Sequence, residues 1–219
     1  MATRLIVTGA TGMVGEGVLH ECLQHNSVEA VLVIGRKSCG IVHSKLKEII
    51  HKDFFNLPAL QEQFTGYDGC LFCLGISSVG VKEEAYFENT YKLTLHFADT
   101  YLAVNPASVF CYISGAGTNA SGNAMWAKIK GQTENALSKM PFKSEYNFRP
   151  GFLKPTSGLK NTLGLYKYFG WLYPIFNKLA PKYFSTLKQL GLAMINAVLF
   201  GYEKNVLEVP DIVLLSEKK

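Results

Sequence analysis

A glycine-rich turn near the start of the chain constrains the fold more than any other feature. The apolar and β-branched run Leu5–Thr8 leads directly into Gly9, and Gly12 and Gly15 follow at intervals of three residues. Apolar residues then recur at helical spacing from Val18, so the turn joins a predicted strand to a predicted helix. In such a turn one glycine permits a tight bend, one lets backbone N–H groups approach a pyrophosphate, and one lets the helix pack on the strand. The pattern predicts dinucleotide binding; the alternative is an ordinary strand-to-helix turn.

The helix after this turn offers unpaired N–H donors to an anion at its N-terminus. A side chain at Gly12 would push the phosphates away from those donors. The residues expected to bind the cofactor here are Gly9, Thr11, Gly12, Met13 and Val14.

Size and composition fit a single domain over residues 1–219 with a sizeable core, since 48% of residues are apolar and 18% are charged. No apolar run reaches the roughly eighteen residues of a membrane span, and no signal peptide is evident, which predicts a cytoplasmic protein. The net charge of +5 is scattered along the chain, so nucleic-acid binding is not expected. The five cysteines do not form a disulfide framework, and no metal site is predicted.

Strands and helices alternate along the chain. Strands are predicted at Ala30–Ile34, Leu46–His51, Cys70–Leu74, Val109–Ile113, Tyr146–Phe148 and Val206–Val209, and helices at Leu57–Phe64, Glu83–Val104, Ala124–Met140 and Leu187–Phe200. This rhythm is typical of an α/β fold in three layers, with a doubly wound parallel sheet, known as the Rossmann fold.

The ends of the predicted strands indicate which dinucleotide binds. At the tip of the second strand an acid would bond both ribose hydroxyls, but the chain has Arg36 and Lys37 there, and an arginine pairs with a 2′-phosphate. NADP is therefore favoured over NAD, and a solvated basic turn is the alternative. Asp53, followed by Phe54, can accept from the adenine amino group, although helix capping would equally explain it. Leu74 and Gly75 are expected to face the middle of the cofactor.

The stretch Thr162–Phe184 is rich in aromatic residues, has few acids and is interrupted by Pro174 and Pro181. Such a stretch caps a pocket, meets another protomer or lies on a membrane surface. We favour a small helical cap over the substrate side, residues 157–185, and a membrane surface is less favoured. The sequence leaves open whether the protein is a monomer or a homodimer.

Five motifs, taken together, resemble those of the atypical short-chain dehydrogenase/reductase superfamily. The resemblance is strongest to small NAD(P)-binding members of the NAD-dependent epimerase/dehydratase-like or Tat-interacting-protein-like type. The motifs are Thr8–Gly15, Cys73–Gly75, Ser114–Gly117, Lys128–Glu134 and Phe148–Phe152. The resemblance covers Thr3 to about Thr156 and implies oxidoreductase chemistry, with Arg149, Pro150 and Gly151 at the cofactor.

Members of that superfamily use a serine, a tyrosine and a lysine for the chemistry. The resemblance places Ser114 and Lys130 at the outer two positions, where both also contact the cofactor, and places Trp126 at the tyrosine position. An indole N–H can donate a hydrogen bond but cannot act as a proton-transfer acid near neutral pH. The resemblance therefore implies a proton donor other than the residue at the tyrosine position.

Three functions are consistent with this pattern. The favoured one is NADP-dependent reduction or oxidation of a small carbonyl or hydroxyl substrate, with the proton supplied by Ser114, a water or a displaced tyrosine such as Tyr166. The second is a catalytically silent NADP-binding regulatory module. The third is a peripheral membrane or scaffold protein that uses the aromatic segment. A silent site has no chemical need for Ser114 and Lys130, although Lys130 could persist to bind ribose.

Overall fold

The computed structural model describes residues 2–161 and 180–218, and within them seven strands form one parallel sheet. The strands in chain order are β1 (Thr3–Thr8), β2 (Val28–Gly35), β3 (Leu46–Ile50), β4 (Gly69–Phe72), β5 (Val109–Ile113), β6 (Ser144–Phe148), β7 (Phe152–Lys154), β8 (Phe184–Thr186) and β9 (Val206–Leu207). The sheet has the order β3-β2-β1-β4-β5-β6-β9, and β7 and β8 form a separate parallel pair.

Helices cover both faces of this sheet. They are α1 (Met13–Gln24), α2 (Glu83–Phe87), α3 (Leu93–Leu102), α4 (Met125–Leu137), α5 (Leu187–Phe200) and α6 (Val209–Ser216). Val18, Leu190 and Ile212 place α1, α5 and α6 against one face, and Phe97 and Leu137 place α3 and α4 against the other. These three layers confirm the predicted doubly wound α/β fold.

The strand order reverses between β1 and β4, which creates a crevice at the carboxyl ends of these strands. Thr8, the last residue of β1, spans the gap with its hydroxyl oxygen. That oxygen accepts the backbone N–H groups of Cys73 and Leu74, each at 3.1 Å. The hydroxyl therefore joins the two strand ends where the ladder of backbone hydrogen bonds stops.

The helix predicted over Glu83–Val104 is interrupted by a π-helical turn at Glu88–Lys92, between α2 and α3. Asn89 in this turn donates its side-chain amide to the carbonyl of Ala85 at 2.9 Å. π-Helical turns occur frequently at functional sites, and Asn89 lines the crevice described below.

The C-terminal region differs from the prediction at its last strand. The strand predicted at Val206–Val209 ends at Leu207, and α6 begins at Val209. A capping box starts α6, because Glu208 and Asp211 each accept the backbone N–H of the other. Residues Leu57–Phe64 also differ, since Pro58–Phe64 forms a 3-10 helix.

The predicted cap over residues 157–185 is described only at its two ends. Residues 162–179, which include Tyr166, Phe169, Trp171 and Tyr173, lie outside the described residues. In the parts of the chain that are described, no helix is long and apolar enough to cross a membrane.

Two buried polar side chains lie on the α4 side of β6. The oxygens of Glu145 and the side-chain oxygen of Asn147 are buried, without a hydrogen-bond partner among the described residues. Burial raises the pKa of Glu145 to about 8, the nearby Glu134 carboxylate adds to this shift, and Asn147 opposes it. A protonated Glu145 avoids placing an unpaired charge in the core, so this side chain is neutral at pH 7.

We expect Glu145→Gln to stabilise the protein at pH 8 by an amount on the order of 4 kcal/mol. The unfolded chain releases this proton near pH 4.5, whereas the folded chain keeps it until about pH 8. Wild-type stability therefore falls as pH rises across that interval, and glutamine removes this dependence. Thermal unfolding at pH 5 and pH 8 measures it, with the exposed Glu203→Gln as control. An equal gain at both pH values would contradict the prediction.

Candidate cofactor and active site

The three glycines of the turn differ in how much space the structure leaves for a side chain. Gly9 has a φ of +70°, and a Cβ there would lie 2.5 Å from the carbonyl oxygen of Cys73. A Cβ on Gly15 would lie 2.2 Å from the Gly9 oxygen. Gly12, at the N-cap of α1, is different, because its Cβ would meet nothing closer than that same oxygen at 3.4 Å. The space beside Gly12 is open, which fits a ligand phosphate at the start of α1.

Two adjoining cavities follow the carboxyl edge of β1, β2 and β4. The cavity beside the glycine turn holds about 400 Å³, and the cavity farther along holds about 150 Å³. Arg36 and Leu74 line both, so the two form one crevice. Eight of the residues predicted to contact the cofactor line it: Gly9, Thr11, Arg36, Lys37, Asp53, Phe54, Leu74 and Gly75. Met13 and Val14 begin α1, and their side chains pack on the core.

The outer part of this crevice carries positive charge. Arg36 and Lys37 follow β2, and Lys52, which follows β3, lines the same crevice. Lys52 was not predicted from the sequence, although its position directly before Asp53 was a signal. Asp53 accepts the N–H of Phe55 at 3.0 Å within its own turn, rather than capping the 3-10 helix. Three cations around one edge suit a phosphate group.

Ser114 and Lys130 lie together at the end of β5. The ammonium of Lys130, on α4, donates to the main-chain oxygens of Ile113 at 3.0 Å and Ser114 at 3.3 Å. The buried hydroxyls of Ser114 and Thr118 are 3.0 Å apart and share a hydrogen bond. The lysine is thereby fixed beside a pair of hydroxyl groups, either of which can donate to a bound oxygen atom.

The environment of Lys130 favours its neutral form more than water does. Burial lowers the pKa of Lys130 to about 8, and the Glu134 carboxylate one turn along α4 opposes this shift. The ammonium also lies 5.3 Å from the centre of the Tyr112 ring. A lysine with such a pKa releases and regains a proton more readily at neutral pH than an exposed one.

Trp126 lies on the same face of α4 as Lys130, because the two are four residues apart in the helix. Its indole packs over the loop after β5. A Cβ on Gly115 would be 3.6 Å from this indole, and one on Gly117 would be 3.7 Å away. The structure therefore brings Trp126 together with Ser114 and Lys130.

Arg149 follows β6 and is held between two carboxylates. Its guanidinium donates to both oxygens of Glu134 on α4 and, at 3.1 Å, to Glu208 at the start of α6. These bonds, chiefly those to Glu134, raise the pKa of Arg149 further. Its described contacts are thus structural ones that tie β6 to α4 and α6.

Pro150 and Gly151 continue from Arg149 at the same edge of the sheet. The carbonyl oxygen of Pro150 accepts the N–H of Ala116 at 3.2 Å, in the loop that follows Ser114. A Cβ on Gly151 would lie 2.3 Å from the carbonyl oxygen of Tyr183, so this glycine is required by packing. Pro150 therefore supports the loop over which Trp126 packs, and Gly151 lets β7 approach Tyr183.

Comparison with known proteins agrees with this arrangement of glycine turn, crevice and lysine. Residues 5–146 match the model of the NAD dependent epimerase/dehydratase family. The chain belongs to this family. Membership confirms the resemblance predicted from the motifs, and it supports a NAD(P)-binding, oxidoreductase-like role.

Relatives in the epimerase/dehydratase family are distant in sequence. The chain is 24% identical to Protein HTATIP2 of Rattus norvegicus over 151 residues, which cover 68% of this chain and 62% of that protein. It is 27% identical to Protein fmp52-1, mitochondrial, of Aspergillus terreus over 157 residues, which cover 68% of this chain and 66% of that protein. Each match thus spans less than two thirds of the relative's own length.

Solved structures share the fold of this family member. A variant of uronate dehydrogenase from Agrobacterium tumefaciens, complexed with NAD, has a TM-score of 0.69 at 14% identity and covers 94% of this chain and 76% of that one. Pal from Bacillus thuringiensis has a TM-score of 0.68 at 17% identity and covers 98% and 82%. At these identities the likeness establishes the Rossmann fold and no more.

Proposed function

We propose that this chain is an NADP-dependent oxidoreductase acting on a small carbonyl or hydroxyl compound with a non-standard proton donor. The observation that supports this most directly is the placement of Lys130. Its ammonium donates to the main-chain oxygens of Ile113 and Ser114, at the end of β5 where the Ser114 and Thr118 hydroxyls share a hydrogen bond. A site without chemistry would not need this set of groups at the carboxyl edge of the sheet.

The residues of the site have distinct proposed roles. NADPH, when bound, supplies the hydride. The Ser114 and Thr118 hydroxyls hold the carbonyl oxygen of the substrate, and the Lys130 ammonium holds ribose hydroxyls and stabilises negative charge on that oxygen. The proton comes from Ser114 or a water; the other candidate, Tyr166, lies outside the described residues. Trp126 packs over the loop of Gly115 and Gly117 beside this site and forms part of the wall against which the substrate lies.

The preference for NADP is proposed on the basis of Arg36, Lys37 and Lys52. We expect Arg36→Ala to lower the ratio of NADPH affinity to NADH affinity by about tenfold or more, because a charge-assisted hydrogen bond to a 2′-phosphate contributes about 1.5–3 kcal/mol. Calorimetric titration with both cofactors measures this ratio. Lys47→Ala, an exposed cation on β3, is the control. An unchanged ratio in Arg36→Ala would assign the preference to other residues.

The second candidate function is a catalytically silent NADP-binding regulatory module. The specific observation in its favour is Trp126, which supplies no acid at the position where the superfamily has its tyrosine. The two candidates differ in turnover and not in cofactor binding, so the variant discussed below separates them.

The remaining proposals concern partners and location. We expect a small-molecule substrate, no nucleic acid, a monomer or homodimer, and a cytoplasmic location. Aspergillus terreus fmp52-1 is named a mitochondrial protein, so fractionation of cells with a tagged chain is the test of location. Binding to a membrane surface is the less favoured alternative, and flotation with neutral and anionic vesicles would reveal it.

A further inference from the structure

The loop that carries Arg36 and Lys37 is fastened to β3 by a carboxylate. The hydroxyl of Ser38 donates to one oxygen of Glu48 at 2.6 Å, and the N–H of Cys39 donates to the other oxygen, also at 2.6 Å. The N–H of Gly40 donates in turn to the Ser38 hydroxyl oxygen at 3.0 Å. Three hydrogen bonds thus close the loop directly after its two cations.

Glu48 is well placed for this role. It pairs in register with Val33, two residues before Gly35, so its side chain starts beside the end of β2. Burial alone would raise the pKa of Glu48, but the hydrogen bonds from Ser38 and Cys39 outweigh burial and hold that pKa below its usual value. The carboxylate is therefore ionised at neutral pH, and its hydrogen bonds are charge-assisted.

The side of this loop that faces the crevice is held mainly by the hydrogen bonds to Glu48. Cys39 and Ile41 pack against the core on the α1 side, whereas Arg36 and Lys37 are exposed and line the crevice. Gly40 has a φ of +68°, which glycine adopts without strain but which does not by itself hold a loop in one conformation.

We propose that Glu48 is a positioning residue that selects a dinucleotide with a 2′-phosphate on its adenosine ribose. Its bonds to Ser38 and Cys39 hold Arg36 and Lys37 at the crevice, and Glu48 itself does not touch the ligand. This inference rests on the proposed function, because it requires that the crevice bind a dinucleotide. The inference assigns part of the preference for NADP over NAD to a residue on β3, in addition to the loop that carries Arg36 and Lys37.

The charge of Glu48 and its hydrogen bonds predict opposite effects of a substitution at this residue on NADPH affinity. A carboxylate near a bound phosphate repels it, so removal of the charge alone should strengthen NADPH binding. Loss of the hydrogen bonds should instead weaken NADPH binding. Arg36 and Lys37 would then be mobile in the free protein, and ordering them on binding costs conformational entropy. Ser38→Ala separates the two effects, since it removes a hydrogen bond and keeps the charge.

Titration calorimetry of Glu48→Gln, Ser38→Ala and wild type with NADPH and with NADH tests the proposal. We expect Glu48→Gln to weaken NADPH binding roughly five- to tenfold and NADH binding less than about twofold. Ser38→Ala should change both affinities in the same direction by a smaller factor. Glu29→Gln, which neutralises an exposed carboxylate at the amino end of β2, should match wild type.

The outcomes distinguish this inference from the function on which it rests. Tighter NADPH binding in Glu48→Gln, or equal losses for NADPH and NADH, would overturn the positioning role. A wild-type preference for NADPH that both variants retain would overturn it as well and leave the proposed function intact. Wild-type protein that binds neither cofactor would overturn the proposed function and the inference with it.

Discussion

Replacing Trp126 with tyrosine is expected to raise the NADPH-dependent turnover of a generic carbonyl substrate about 10²- to 10⁴-fold, the range typical of a positioned general acid. Trp126 and Lys130 are one turn apart on α4, and the indole lies over Gly115 and Gly117, next to Ser114. A phenol at this position would reach the same loop, and the neighbouring ammonium would favour its phenolate. Steady-state NADPH oxidation with aldehydes, ketones and quinones measures the gain. Trp126→Phe is the matched control without a hydroxyl.

A second measurement on the same variant needs no substrate. The introduced phenol should titrate below its ordinary pKa of about 10, because the Lys130 ammonium stabilises the phenolate, and adding Lys130→Met should reverse this shift. Ultraviolet absorbance, taken as the difference from wild type, reports the ionisation. A shifted phenol with flat NADPH oxidation and demonstrable NADPH binding would favour the silent regulatory module. An unshifted phenol would contradict the proximity of the two side chains.

Gly12→Val is expected to weaken NADPH binding at least about 100-fold while the fold persists. Gly12 has a φ of −105° and a ψ of 163°, an extended conformation that valine adopts without strain. Among the described residues its Cβ would meet the Gly9 oxygen alone, at 3.4 Å, an ordinary van der Waals distance, so we expect the fold to accept a side chain here. The methyl groups would fill the space where a phosphate approaches the first N–H groups of α1.

Gly15→Val is the informative comparison for this variant. A Cβ at Gly15 would lie 2.2 Å from the Gly9 oxygen, so valine there should lower the unfolding temperature sharply. Circular dichroism on heating and calorimetric titration with NADPH, applied to both variants, separate a binding defect from a folding defect. Unchanged affinity in a folded Gly12→Val protein would remove the glycine turn from the cofactor site.

Local pattern was sufficient to predict the sheet, the glycine turn and most of the crevice. Gly12 and Gly15 could be assigned from spacing, because the backbone that each approaches is that of Gly9, a few residues away. Gly9 was assigned from the same spacing, although the backbone that it approaches is that of Cys73 on the neighbouring strand. The role of Arg36 could also be predicted, since this residue directly follows an apolar strand whose end faces the crevice. Each of these inferences needed one segment of the chain and one general rule of parallel sheets.

Contacts between distant segments could not be predicted in the same way. The Thr8 hydroxyl accepts the N–H groups of Cys73 and Leu74, which are 65 and 66 residues away. Even the nearer pairs Ser114 with Thr118 and Ser38 with Glu48 depend on how a loop folds back, which residue spacing does not specify. Arg149 is held by Glu134 and by Glu208, which is 59 residues away. The start of α6 is a different case, because Glu208 and Asp211 stand three residues apart in the sequence, which is the spacing of a capping box.

The bridge made by the Thr8 hydroxyl has a further consequence for how the crevice attracts a ligand. The N–H groups of Cys73 and Leu74 would otherwise stand at the mouth of the crevice as donors, but Thr8 engages both. An incoming anion therefore finds main-chain donors on the α1 side and none from these two residues on the β4 side. At these two strand ends, therefore, main-chain donors favour an anion on the side of the glycine turn only. Elsewhere along the crevice the attraction for an anion comes from the side chains of Arg36, Lys37 and Lys52.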